Sequence, residues 1–136
     1  MLKVEPKTIA GTLFFRLSGG TGPVRTEPTG IAVLTLRYEL DRLIVERVRH
    51  QQAARDTEKA IRDAIRDGKD ASQHRQALSK LDDTAEVISA EIDHLIGLIE
   101  DVRQQAVAHH ARPITDSIHA GIAAAIAPYR IPEELQ

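Results

Sequence analysis

The chain has no cysteine and no tryptophan, and only four aromatic residues: Phe14, Phe15, Tyr38 and Tyr129. Without cysteine there are no disulfides and no thiolate metal sites, a composition that fits a reducing compartment. With so few rings, the core has to be built from Leu, Ile, Val and Ala, which suits helices that interdigitate small and branched side chains. No charge predominates: 18 basic residues stand against 20 acidic ones. That balance argues against a nucleic-acid binder, which normally carries a basic excess, and against a disordered polyanion. Long apolar runs are missing too. The greasiest stretch, Ile118 to Ala127, stops at Pro128 and is about half of what a membrane span needs. Met1-Leu2-Lys3-Val4-Glu5-Pro6 does not read as a signal peptide, so the sequence points to a cytoplasmic protein.

At 136 residues there is room for one modest core. Residues 1–30 differ from the rest, with Pro6, Gly11, Gly19, Gly20, Gly22, Pro23, Pro28 and Gly30 concentrated in them. Thr12 to Leu17 is β-branched and aromatic enough for a strand. Ser18-Gly19-Gly20-Thr21-Gly22 makes a turn, and Val24-Arg25-Thr26 can return as a second strand. A lone hairpin is marginal in water, so this extended segment must lean on helices or on another chain.

Residues 31–136 read as a helical hairpin domain, with helices over about 31–67, 71–111 and 114–127. Thr29 is the expected N-cap of the first, and Val33, Leu36, Leu40, Leu43, Val48 and Ile61 recur at helical spacing. Gly68 is placed to end it, and Asp70 or Ser72 to cap the next. In the second helix Ala71, His74, Leu78, Leu81, Ala85, Ile88, Ile92, Leu95, Ile99, Val102 and Ala106 alternate by three and four. That is the seam of a coiled coil. A short turn makes the two arms antiparallel, so residues whose numbers sum to roughly 138 should meet. Leu36 then meets Val102, and Leu43 meets Leu95. Pro113 is expected to start a separate C-terminal helix carrying Ile114, Ile118, Ile122 and Ile126.

The arms are apolar on more than one face away from the turn. Ile31, Leu34, Tyr38 and Val45 on the first, and Val87, Ile96, Leu98 and Val107 on the second, lie off the seam. Two helices cannot bury all of that, so the expected assembly is an oligomeric bundle, a dimer or tetramer. Its interface is expected to draw on Leu34, Tyr38, Val45, Ile88, Ile92, Leu95, Ile96, Ile99 and Val102. The turn end instead carries dense alternating charge, including Arg55, Lys59, Arg62 and Arg66, with Glu58–Arg62 and Lys59–Asp63 spaced for pairing. A protein partner docked at that tip is a further expectation.

Three patterns could carry chemistry. Glu91-Ile92-Asp93-His94 has the Glu-x-x-His spacing of ferritin-like metal bundles, with Glu46 roughly opposite on the other arm. Its plainer reading is a half-exposed polar flank. Arg103 to His110 resembles the Arg-x(4–6)-His signature of the HEPN family of all-helical ribonucleases, although Gln104 stands where that family has Asn or Asp. The resemblance covers about eight residues. It implies a dimer in which Arg103 and His109 cleave RNA, the imidazole acting as acid or base and the guanidinium stabilising charge. The plainer reading is a helix end whose histidines face its last carbonyls. Ser18 to Gly22 could present N–H groups to an anion, but it has no Lys-Ser/Thr and runs into Pro23. His50 and His74, near the seam, could tune pairing with pH. The reading that best fits the whole chain is a non-enzymatic, self-associating interaction or scaffold module with no cofactor. A HEPN-like ribonuclease and a ferritin-like metal bundle are the alternatives.

Overall fold

The computed structural model describes residues 1–126, which form three strands followed by two long helices: β1 (Lys3–Ile9), β2 (Thr12–Ser18), β3 (Arg25–Pro28), α1 (Thr29–Arg66) and α2 (Ser72–Ile126). The strands make an antiparallel sheet in the order β1-β2-β3. The extended segment is therefore a three-stranded meander, not a two-stranded hairpin. The strand missing from the sequence reading is β1, which pairs with β2 from Lys3 opposite Ser18 to Ile9 opposite Thr12.

Its turn is the two-residue loop Ala10-Gly11, with φ of 51° and 80°. Positive φ at both central residues is the signature of a type I′ turn, whose twist matches that of the flanking strands. Pro6 is tolerated because β1 is an edge strand, where a missing N–H can face solvent. On the central strand, alternate residues Leu13, Phe15 and Leu17 are buried, Phe15 completely. This period of two turns one face of the sheet onto the helices.

Strand β3 runs into α1 without a linker. Pro28 is the N-cap, with extended backbone, and Thr29 is already the first helical residue. The expected cap at Thr29 is corrected accordingly, since a residue inside the helix cannot hold the extended conformation a cap requires. At the other end Gly68 has φ of 70°. Its N–H donates to the Ile65 carbonyl at 3.1 Å, while Lys69 N–H donates to the Ala64 carbonyl at 2.8 Å. These crossed bonds satisfy carbonyls the helix leaves open, a Schellman ending. Asp70 then takes the Ser72 backbone N–H at 3.0 Å and its hydroxyl at 2.6 Å. Those bonds hold the Asp70 carboxyl below its ordinary pKa, the Ser72 hydroxyl contributing most and its N–H next.

The second helix does not stop before Pro113. It continues through that residue to Ile126, so the separate third helix is corrected to an extension of α2; its expected end at residue 127 lies outside the described residues. A proline inside a helix removes one backbone bond, but in an exposed stretch water takes the freed carbonyl, and the Ala-rich residues beyond favour helix. At the expected register, α1 begins opposite about residue 109. The last ~17 residues of α2 thus reach roughly 25 Å beyond the hairpin. Every described side chain from His110 to Ala125 is exposed.

One core unites sheet and hairpin: Leu13, Phe15 and Leu17 join Ala32, Leu36 and Leu43 of α1 and Ile88, Ile92, Leu95, Ile99, Val102 and Ala106 of α2. Towards the turn the helices pack thinly, with only Ala64 and Ala71 buried among the described residues there. Salt bridges at the tip differ from those anticipated. Asp63 pairs with Arg66 at 3.0 Å instead of Lys59, and Glu58 does not engage Arg62. No helix among the described residues is long and apolar enough to cross a membrane.

Candidate functional site: a cleft beneath the glycine-rich loop

The end of β2 and most of the β2–β3 connection, Ser18 to Pro23, line the flank of the hairpin and border a half-open cleft of about 790 Å³. Its shape depends on Gly19, which sits at φ of 79°; a Cβ there would collide with the Met1 carbonyl oxygen. The floor is apolar, formed by buried Leu17, Leu43 and Leu95 with half-buried Leu2. Leu34 and Tyr38, on successive turns of α1, stand at the rim and are largely exposed.

Charges ring this floor. Arg42 Nη2 lies 2.9 Å from Glu39 Oε2, and its Nη1 lies 3.7 Å from Glu46 Oε2. The hydrogen bond to Glu39 and then that carboxylate's charge raise the Arg42 pKa; Glu46 and Glu91 add smaller contributions in the same direction. Arg42 is therefore held as a cation among carboxylates from both helices. Arg25, from β3, lines the same cleft.

The metal pattern and the glycine-rich loop, far apart in sequence, thus share one cleft, since Glu91 and His94 both line it. They do not form a metal site. His94 Nε2–H donates to the Leu2 carbonyl at 2.7 Å, which ties α2 to the residue that leads into β1. Glu46 is turned to Arg42. Among the described residues, no three His, Asp or Glu side chains are placed to hold one ion.

Both residues of the ribonuclease pattern lie on α2. Arg103 is exposed, whereas His109 Nε2–H donates to the Gly11 carbonyl at 3.2 Å, pinning the β1–β2 turn to α2. Six residues along an α-helix amount to about 120° around its axis, so the two side chains leave different faces. His109 stacks edge-on against His110 at 5.7 Å. His50 Nδ1–H donates to the Glu46 carbonyl at 2.9 Å, and His74 is exposed.

The nine expected interface residues divide into two groups. Ile88, Ile92, Leu95, Ile99 and Val102 are at most 7% exposed inside the chain's own core. Within the single chain, the sheet and α1 cover these five. Leu34, Tyr38, Val45 and Ile96 remain more than half exposed. The sequence reading missed Arg25, Glu39 and Arg42 at the cleft. Only the Glu39–Arg42 spacing of three offered a sign of them. Comparison with known proteins returns no family model, no curated protein and no solved structure that matches this chain.

Proposed function

We propose that this chain is a non-enzymatic interaction module that self-associates through its helical hairpin, as a scaffold in the cytoplasm. One observation carries the reading. Ile31, Leu34, Tyr38, Val45 and Val48 are between 47% and 71% exposed, and they follow one another at spacings of three, four, seven and three along the outside of α1. Scattered apolar residues on a surface need no explanation, but a row at heptad spacing is what helices use to pack. The chain's own core does not use this row.

Energetics fit a reversible assembly. Covering half-exposed side chains of this size contributes about 1 kcal/mol each, roughly 10 kcal/mol over two protomers. Association costs about 4–15 kcal/mol in lost freedom. The two terms are comparable, so self-association should depend on concentration and a tetramer would need further surface. Ile96, Val107, Ile118 and Ile122 on α2 offer such surface. The charged tip, with Arg55, Lys59, Arg62 and Arg66, is free to meet a second protein.

The alternatives draw less support. A ribonuclease would need Arg103 and His109 on a common site, and a metal bundle would need Glu46, Glu91 and His94 to converge. Sedimentation velocity on a Leu34→Glu, Val45→Glu variant tests the proposal. Both positions are exposed, so helix content should hold while the particle shifts to the monomer. An unshifted particle would show that the outside of α1 is not the contact.

A further inference from the structure

The exposed row on α1 is self-complementary in one direction only. Number pairs summing to 79 match large side chains with large: Ile31 with Val48 and Leu34 with Val45. The remaining pair sets the Tyr38 ring and hydroxyl against the Asp41 carboxylate, which fills the heptad position between Tyr38 and Val45 that the apolar row leaves open. We propose that two copies of this chain pack α1 against α1 antiparallel, about a two-fold axis between Glu39 and Leu40. The proposal rests on the self-association reading and adds its partner, direction and register.

Charge supports the direction. A two-fold axis normal to both helices keeps like flanks together, so each side of the row meets the same side of the partner helix. On one flank Arg37 then comes beside Asp41 of the second copy. On the other, Arg42 comes beside its Glu39, close to the Arg42–Glu39 pair already present within each copy. Both contacts join opposite signs. A parallel pair in register would instead set Asp41 against Asp41 and Tyr38 against Tyr38, with Arg37 near Arg42. Like charges at a helix seam select against that arrangement. Arg37 and Asp41 are exposed and make no ion pair within the chain among the described residues.

The row spans 18 residues, about 26 Å of helix. A stable interface takes about 800 Å² from each partner, so residues beside the row must take part. The cleft supplies them. Leu34 and Tyr38 belong both to the row and to the cleft rim, and the partner helix therefore borders the cleft.

Because the chain has no cysteine, introduced thiols give an unambiguous readout. The test is mild oxidation of a Leu34→Cys, Val45→Cys variant beside each single variant, with light scattering on the unmodified chain. The double variant should cross-link into a covalent dimer at least tenfold more efficiently than either single one. Single variants that cross-link as readily would overturn the antiparallel register. A dimer by light scattering whose double variant does not cross-link would overturn the register while leaving self-association standing; a monomer would remove both. A charge swap checks the same contact independently. Asp41→Arg alone should weaken dimerisation at least tenfold, and adding Arg37→Asp should restore it. An Asp41→Arg chain that dimerises as tightly as the unmodified one would contradict the proposal.

Discussion

The Ala10-Gly11 turn allows two neighbouring substitutions with opposite expected signs. Ala10 holds φ of 51°, where the Cβ of an L-residue crowds the following carbonyl at a cost of about 1–2 kcal/mol. Asn adopts this conformation more readily and is favoured at the first centre of a type I′ turn, so Ala10→Asn should stabilise the protein by about 1 kcal/mol. Gly also relieves the crowding, but its freer unfolded chain takes back roughly 0.5–1 kcal/mol, leaving Ala10→Gly a smaller gain. Gly11 holds φ of 80° with open space around the place of a Cβ. Gly11→Ala therefore meets no clash, only the backbone penalty, and should cost about 1 kcal/mol. The sheet shares its core with both helices, and the Gly11 carbonyl is bonded to His109. Changes at the turn should thus register in global unfolding, as shifts of about 3–5 °C in melting temperature for a chain this long. If Ala10→Asn lowers the melting temperature, or Gly11→Ala leaves it unchanged, the turn is not the one described.

Asp70 supplies a pH dependence. A carboxyl whose folded pKa is depressed adds stability above its unfolded pKa, and that stability is lost as pH falls through the folded value. The start of α2 should accordingly loosen only in acid, below the ordinary carboxylate range. In Ser72→Ala, which removes the stronger of the two bonds, NMR titration should find Asp70 closer to that range. Pro113→Ala restores a backbone donor in an exposed helical stretch. Amide exchange around residues 116–125 should slow markedly, with little change in global melting, because the side chains there are exposed and lie outside the shared core. Phe15→Ala empties a fully buried site and should cost about 3–5 kcal/mol by urea denaturation. A loss below about 1 kcal/mol would mean that the sheet is not docked as described.

The hairpin was legible in the sequence because its signals are local. Gly68 ends α1 through bonds confined to six residues, and the alternation of threes and fours from Ile88 to Ala106 coincides with the buried positions of α2. Strand β1 was not legible. Of its residues only Val4 is even half-buried, so there is no alternating apolar pattern to read, and what makes it a strand is pairing with β2, Val4 opposite Leu17, Pro6 opposite Phe15 and Thr8 opposite Leu13. Pro113 misled because its local preference to begin a helix was outweighed by the helix-forming residues on either side. The cleft depends wholly on tertiary placement: Gly19, Arg42 and His94 meet only because the sheet lies over the hairpin and His94 bonds back to Leu2. The exposed row on α1 was half legible. Leu34, Tyr38 and Val45 stand out in the sequence as apolar and off the seam, whereas the seam residues Ile88 and Ile92, grouped with them as interface, are buried within the chain by the shared core.

Self-association is the claim on which the rest turns, and the most direct test is the solution mass of the unmodified chain by light scattering across a dilution series. Self-association predicts a particle of twice the 15.0 kDa protomer at high concentration, dissociating towards the protomer on dilution. A mass that stays at 15.0 kDa up to about 1 mM, where even a contact worth only about 4 kcal/mol would show, contradicts it.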